Sequence, residues 1–255
     1  MSDIDQKLSD LVNIVRKLLS PEGCEWDKKQ TPKSLIPYLL EEAYEVAEAI
    51  TDGNSSDLKE ELGDLLLHIV FQSILAEEKE NFSIEDVIEV INKKLINRHP
   101  HIFNKENGSV KQNWELSKKK EKNRESVLDG IPKSLPSLVT SERLQEKSAQ
   151  VGFEWENYQD VIDKIYEELE ELKLGIQKGD QNNIEEEIGD ILIGIVNLSR
   201  FLNVSAEVAM QKSNRKFYRR FTKMEKLIEK HNKEIDKLSL QELDNYWEKV
   251  KDEEQ

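Results

Sequence analysis

One run of acidic residues occurs twice in this chain at a fixed distance, and that repetition constrains the fold more than any other feature. The first half holds Leu40-Glu41-Glu42-Ala43-Tyr44-Glu45 and then Glu60-Glu61-Leu62-Gly63-Asp64-Leu65-Leu66. The second holds Tyr166-Glu167-Glu168-Leu169-Glu170-Glu171 and then Glu186-Glu187-Ile188-Gly189-Asp190-Ile191-Leu192. The separations 167 − 41, 171 − 45, 187 − 61 and 190 − 64 are all 126. Flanking blocks recur with small shifts: Gly23-Cys24-Glu25-Trp26-Asp27 with Gly152-Phe153-Glu154-Trp155-Glu156, Lys94 and Arg98 with Lys216 and Arg220, and Trp114-Glu115 with Trp247-Glu248. The chain reads as one domain duplicated in tandem. A charge run and two prolines between Lys118 and Pro136 mark the junction, giving a first domain over 1–125, a linker over 126–140 and a second domain over 141–255.

Each copy is expected to be all-helical. Leu8, Leu11, Val12, Val15, Leu18 and Leu19 trace one face of a first helix. Helical periodicity predicts further helices at about 35–51, 56–79, 84–97, 136–150, 158–178, 183–202, 204–230 and 239–252. Signals such as Asp52-Gly53-Asn54, Asn107-Gly108 and Gly179-Asp180 separate them. A net charge of −15 disfavours a nucleic-acid partner, because a polyanion of that size repels a phosphate backbone. The single cysteine, Cys24, excludes an intrachain disulfide and a cysteine zinc cluster, and fits a reducing cytoplasm. The start of the chain lacks the pattern of a signal peptide. The most apolar stretch, Ile188 to Leu198, contains Asp190 and is too short for a bilayer. A soluble, cytoplasmic protein with no membrane partner is expected.

The acidic motifs carry the chemistry. On a helix, residues three and four apart share a face, so Glu41, Glu42 and Glu45 point broadly one way, as do Glu61 and Asp64. Two such helices side by side set five carboxylates around one point, and their repulsion calls for a cation. Oxygen-only ligands suit a hard ion, Mg²⁺ or Mn²⁺. An acidic helix run is ordinarily a solvated face. Here, however, Asp190 sits among Ile188, Ile191, Leu192, Ile193, Ile195 and Val196, and Asp64 among Leu62, Leu65, Leu66, Leu67, Ile69 and Val70, which predicts buried helices. Gly63 and Gly189 each weaken a helix by about 1 kcal/mol, and a close helix–helix approach beside the site would account for them.

Glu-Glu-x-x-Glu followed by Glu-x-x-Asp resembles the signature of the all-α nucleoside triphosphate pyrophosphohydrolases. The likeness to the two-domain MazG branch runs nearly end to end, through Gly23-Cys24-Glu25-Trp26-Asp27, Arg98-His99-Pro100-His101-Ile102-Phe103, Ile131-Pro132-Lys133-Ser134-Leu135-Pro136, Val151-Gly152-Phe153-Glu154-Trp155 and Lys216-Phe217-Tyr218-Arg219-Arg220-Phe221. It implies tandem helical bundles, an intertwined homodimer, and Mg²⁺-dependent hydrolysis of NTPs and dNTPs between the α and β phosphates. It places metal ligands on Glu167, Glu168, Glu171, Glu186, Glu187 and Asp190, with Glu168, Glu187 and Asp190 central to catalysis. It places nucleotide contacts on Lys164, Glu167, Glu168, Lys216, Arg220 and Trp247, and on Asn183, which stands where the family pattern has a lysine. A second site in the first half would use Glu41, Glu42, Glu45, Glu61, Asp64, Lys94 and Arg98. The family's first domain can be catalytically silent, so the second half is expected to carry the activity.

The residues are consistent with those roles. Pyrophosphate is a poor leaving group until a cation neutralises it. Lys216 and Arg220, one turn apart, can clamp phosphate oxygens or can lie on a solvated basic face. Trp247 can stack on a base, or pack in a core as tryptophans more commonly do. His99 and His101 flank Pro100 and suit a structural turn; His68 suits a core edge beside Asp64. A di-iron carboxylate bundle would need Glu-x-x-His pairs, which these motifs lack. The alternative from another class is a non-catalytic acidic helical scaffold, with neither metal dependence nor nucleotide turnover.

Overall fold

A computed structural model describes residues 3–103 and 124–254, with Pro100 and His101 described in backbone only. The Trp114-Glu115 repeat match and the Asn107-Gly108 turn signal lie outside the described residues. The chain divides into two compact units, Met1–Val110 and Lys111–Gln255. Both are helical, as expected, and among the described residues there is no strand.

In the first unit the helices are α1 (Asp3–Leu19), α2 (Ile36–Asp52), α3 (Ser55–Glu77), α4 (Ile84–Arg98) and the single turn α5 (Pro100–Phe103). The predicted face of α1 buries Val12 and Val15 against Val70, Phe71, Ile74 and Leu75 of α3, with Leu35 and Ile84 closing the cluster. Helices α2 and α3 form a hairpin. Gly53 ends α2 in the left-handed region at φ 70°, where an L side chain would be strained. The Asn54 side chain then accepts from the Ser56 and Asp57 amides and starts α3.

The second unit comprises α6 (Ser137–Ala149), α7 (Tyr158–Lys178), α8 (Gln181–Phe201), α9 (Ala206–Lys230) and α10 (Leu240–Asp252). Helices α7 and α8 repeat the hairpin of the first unit, with Gly179 at φ 69° and Asp180 accepting from the Asn183 amide. Met224, Ile228, Tyr246 and Val250 join α9 to α10, and Trp247 packs against that cluster. Among the described residues no single helix is long and apolar enough to cross a membrane.

Two sequence expectations fail in the single chain. Helix α8 is not buried around Asp190: Ile188, Leu192, Ile193 and Ile195 are each about half exposed, and Asp190 is exposed. The N-terminal half of α3 is open in the same way at Leu62, Leu66 and Ile69. A helix apolar on two faces needs two packing partners, and each of these has one face covered by its own unit. Nor do Gly63 and Gly189 mark close approaches, since a Cβ at either would meet nothing within 4 Å. The tight contacts are elsewhere. A Cβ on Gly194 would lie 2.7 Å from Cγ1 of Ile165, and one on Gly175 would lie 2.4 Å from Oδ1 of Asn183.

Candidate active site

Each hairpin brings its two acidic motifs together. In the first unit one carboxylate oxygen each from Glu42, Glu45 and Glu61 lies within 4.8 Å of the others. Burial, followed by the charges of Asp64, Glu45 and Glu61, raises the Glu42 carboxyl to about 7. Glu61 is raised by burial and by the charges of Glu45 and Asp64. Four of the five predicted positions therefore feel one another, whereas Glu41 is exposed and outside the group. His68 is half-buried at the margin, as a core-edge histidine should be. Burial lowers its pKa while the charge of Asp64 opposes the fall.

The second unit builds the same triad from Glu168, Glu171 and Glu187, again within 4.8 Å. Its surroundings differ. Lys164, one turn before Glu168, stands 2.7 Å from Glu167 and 2.8 Å from Glu168. Those two carboxylates hold the ammonium well above its ordinary range. The Lys164 hydrogen bond in turn keeps Glu168 below the usual carboxylate range despite burial, for Glu168 is only 7% exposed. Glu187, 6% exposed, is pushed up by burial and by its hydrogen bond with Glu168. Asn183 donates to Glu187 Oε1 at 2.7 Å and partly offsets that rise. Asn183 is consequently a neutral donor to the triad, and Gly175 leaves the space its side chain occupies.

The remaining sequence-predicted residues are not gathered at this triad. Glu186 and Asp190 are exposed and outside the group. Lys216 is exposed on α9. The Arg220 Nε donates instead to Glu254 Oε2 at 2.8 Å, and Arg219 and Lys223 bind the same carboxylate. These three cations depress Glu254 to about 2. Trp247 is half-buried with its ring 5.2 Å from that of Phe217, so packing accounts for it within one chain. In the first half Lys94 is exposed and Arg98 half-buried on α4. His99 serves the turn after α4, with Nδ1 2.8 Å from the Leu95 carbonyl.

Sequence reading missed Glu254, because Asp252-Glu253-Glu254 resembles any solvated acidic tail. It also missed Gly175 and Gly194, whose neighbours in space are 8 and 29 residues away, at Asn183 and Ile165. No local pattern announces such contacts.

Comparison with known proteins converges on one family. Residues 30–103 and 156–233 each match the MazG nucleotide pyrophosphohydrolase domain, so the duplicated unit is recovered twice. A Thermotoga maritima protein named nucleoside triphosphate pyrophosphohydrolase/pyrophosphatase MazG is 50% identical over 95% of this chain and 94% of its own length. An Escherichia coli nucleoside triphosphate pyrophosphohydrolase is 41% identical over 98% of both chains. A Mycobacterium tuberculosis protein of the same name is 36% identical over 58% of this chain.

Proposed function

We propose that this chain, which belongs to the MazG nucleotide pyrophosphohydrolase family, is a Mg²⁺-dependent enzyme that converts NTPs and dNTPs to a nucleoside monophosphate and pyrophosphate. The observation that carries the reading is the convergence of Glu168, Glu171 and Glu187 beside a single lysine. The names borne by the near full-length relatives support it.

The donor set fits a hard divalent cation. Three carboxylates with oxygens inside 4.8 Å, two of them buried, hold more negative charge than Lys164 alone balances. Glu168, Glu171 and Glu187 would hold the ion, with Glu167, Glu186 and Asp190 as further oxygen donors. When bound, Mg²⁺ supplies charge neutralisation for the leaving pyrophosphate and acidifies the attacking water. The chain's own residues do the rest. Asn183 fixes the orientation of Glu187. Lys164 exchanges its carboxylate partners for phosphate oxygens of the substrate, and Lys216 and Arg220 receive the remaining phosphate charge.

The open apolar faces around Gly63 and Gly189 favour a homodimer in which they cover each other. We assign the activity to the second domain, 141–255, joined by the 126–140 linker to a first domain, 1–125, of lesser or no turnover. The setting is the cytoplasmic nucleotide pool, with neither nucleic acid nor membrane as partner.

The test is direct. Purified protein is incubated with each NTP and dNTP, with and without Mg²⁺ or Mn²⁺, and the products are separated by chromatography. NMP and pyrophosphate are expected only with metal; NDP and orthophosphate would overturn the assignment, and no turnover with any nucleotide would favour the scaffold.

A further inference from the structure

Gly175 lies in the last turn of α7, and its backbone is helical rather than left-handed. A glycine there weakens the helix relative to alanine, so conformation does not account for it. Space does. Val161, Glu168 and Gly175 are the buried residues of α7, set along one face of the helix. The missing side chain leaves room across the hairpin for Asn183 of α8. A Cβ at position 175 would lie 2.4 Å from Asn183 Oδ1 and 3.3 Å from its Cγ.

That room decides what Asn183 can reach. Asn183 stands one turn before Glu187, so the two share a face of α8, and its Nδ2 donates to Glu187 Oε1 at 2.7 Å. Asp180 holds the start of the helix by accepting from the Asn183 amide at 3.2 Å. With the backbone fixed in this way, the carboxamide keeps its place against Glu187 because nothing projects from position 175.

The first unit differs at both positions. Since 175 − 49 and 183 − 57 are again 126, Ala49 and Asp57 stand where the second unit has Gly175 and Asn183. Ala49 is buried, as Gly175 is, and brings a Cβ to the matching place. Asp57 brings a charge that repels Glu61, the counterpart of Glu187, where Asn183 offers an N–H. The two exchanges belong together. An amide turned inward to a ligand needs the room that glycine leaves, whereas Asp57 is exposed and does not.

We propose that Gly175 and Asn183 form a positioning pair that holds Glu187 in place for a divalent cation, and that this pair makes the second unit's triad the tighter of the two metal sites. The proposal rests on the metal-dependent reading above and adds to it the device that aims one ligand. Gly175 acts on Glu187 only through Asn183. Alanine at 175 pushes Oδ1 aside, and the amide, at the end of a short rotatable side chain, swings off Glu187 while the helices stay packed. Ligands deprived of such a hydrogen-bond partner lose about 10- to 100-fold in metal affinity.

Mn²⁺ binding to nucleotide-free protein, followed by electron paramagnetic resonance, tests the pair once circular dichroism confirms that each variant folds. In the wild type, the sites that vanish in Glu187→Ala should be tighter than those that vanish in Glu42→Ala. Asn183→Ala and Gly175→Ala should each weaken the second-unit sites by about 10- to 100-fold. In an Asn183→Ala background, Gly175→Ala should have no further effect, since no amide is left to displace. The Mg²⁺ concentration for half-maximal NMP release should rise in the same order. Losses that add in the double variant, unchanged Mn²⁺ affinity in either single variant, or a tighter first unit would overturn the proposal. A wild type that binds no Mn²⁺ overturns it together with the metal reading. A wild type that binds Mn²⁺ but releases NMP from no nucleotide removes the hydrolase reading alone, and the binding series still decides the positioning pair.

Discussion

Two glycines five residues apart on α8 meet opposite surroundings, and replacing each with alanine separates local packing from assembly. Alanine in a helix interior is favoured over glycine by about 1 kcal/mol. At Gly189 the new Cβ meets nothing within 4 Å, so that gain should be realised in full by the isolated chain. At Gly194 the Cβ would sit 2.7 Å from Cγ1 and 3.6 Å from Cδ1 of Ile165. Overpacking of that kind costs about 1–3 kcal/mol, which cancels the helix gain and leaves a net loss of up to about 2 kcal/mol. For a unit of this size about 1 kcal/mol moves the melting temperature by roughly 2–4 °C. Gly189→Ala should therefore melt about 2–4 °C higher than wild type in dilute solution, and Gly194→Ala as much as about 4–8 °C lower. The proposed dimer adds a second readout, because the same Cβ at position 189 would enter the interface and weaken it. Circular-dichroism melts across a concentration series, with sedimentation equilibrium for the dimer constant, measure both. Equal stability of the two variants would refute the close-approach argument at Gly194. A Gly189→Ala protein that dimerises as tightly as wild type would refute an interface over α8.

The two halves can be tested against each other: Glu168→Ala or Asp190→Ala should reduce turnover to background, while Glu42→Ala or Asp64→Ala should leave most of it. Activity assays on folded variants decide, and dead first-half variants would reverse the assignment. The ion cluster around Glu254 predicts a pH signature. Its carboxyl is held near 2 against an ordinary 4.5, so its stabilisation is fully present above about 4.5 and lost as pH falls through about 2. Glu254→Gln should lower the melting temperature by a constant amount between pH 5 and 7, with the difference closing below pH 4.5; a pH-independent difference would mean the ion pairs contribute nothing.

The helices were legible because apolar spacing and turn residues agree. The expected helix at 158–178 forms over Tyr158–Lys178, and the one at 204–230 over Ala206–Lys230, with Gly179 and Asp180 ending one helix and starting the next. Pairing of the acidic motifs was legible for a similar reason. A repeat spaced for one helix face, followed by a short Gly-Asn or Gly-Asp turn, folds back only as a hairpin. What periodicity could not show is which apolar face is covered by the chain itself. Ile188 and Val196 carry the same hydrophobic signal, yet one is about half exposed and the other 1% exposed, because α7 covers one side of α8 only. The partner of the basic cluster was not legible for a related reason: Glu254 lies 34 residues beyond Arg220 in sequence and follows no helical register with it.

Counting ligands could not separate the two halves, since both keep Glu, Glu, Glu, Glu and Asp at the same offset. The separating signal lies one turn earlier, at a position the repeat itself aligns. Tyr38 in the first copy turns its ring to Trp26, so the carboxylates behind it face one another with, among the described residues, no lysine paired to the triad, and Glu42 rises to about 7. Lys164 in the second copy ties down Glu168 instead. A cation placed there can be surrendered to a phosphate, whereas a tyrosine ring cannot. The exchange of Tyr38 for Lys164 therefore changes the charge beside the triad, and it supports the proposal that the second unit carries catalysis.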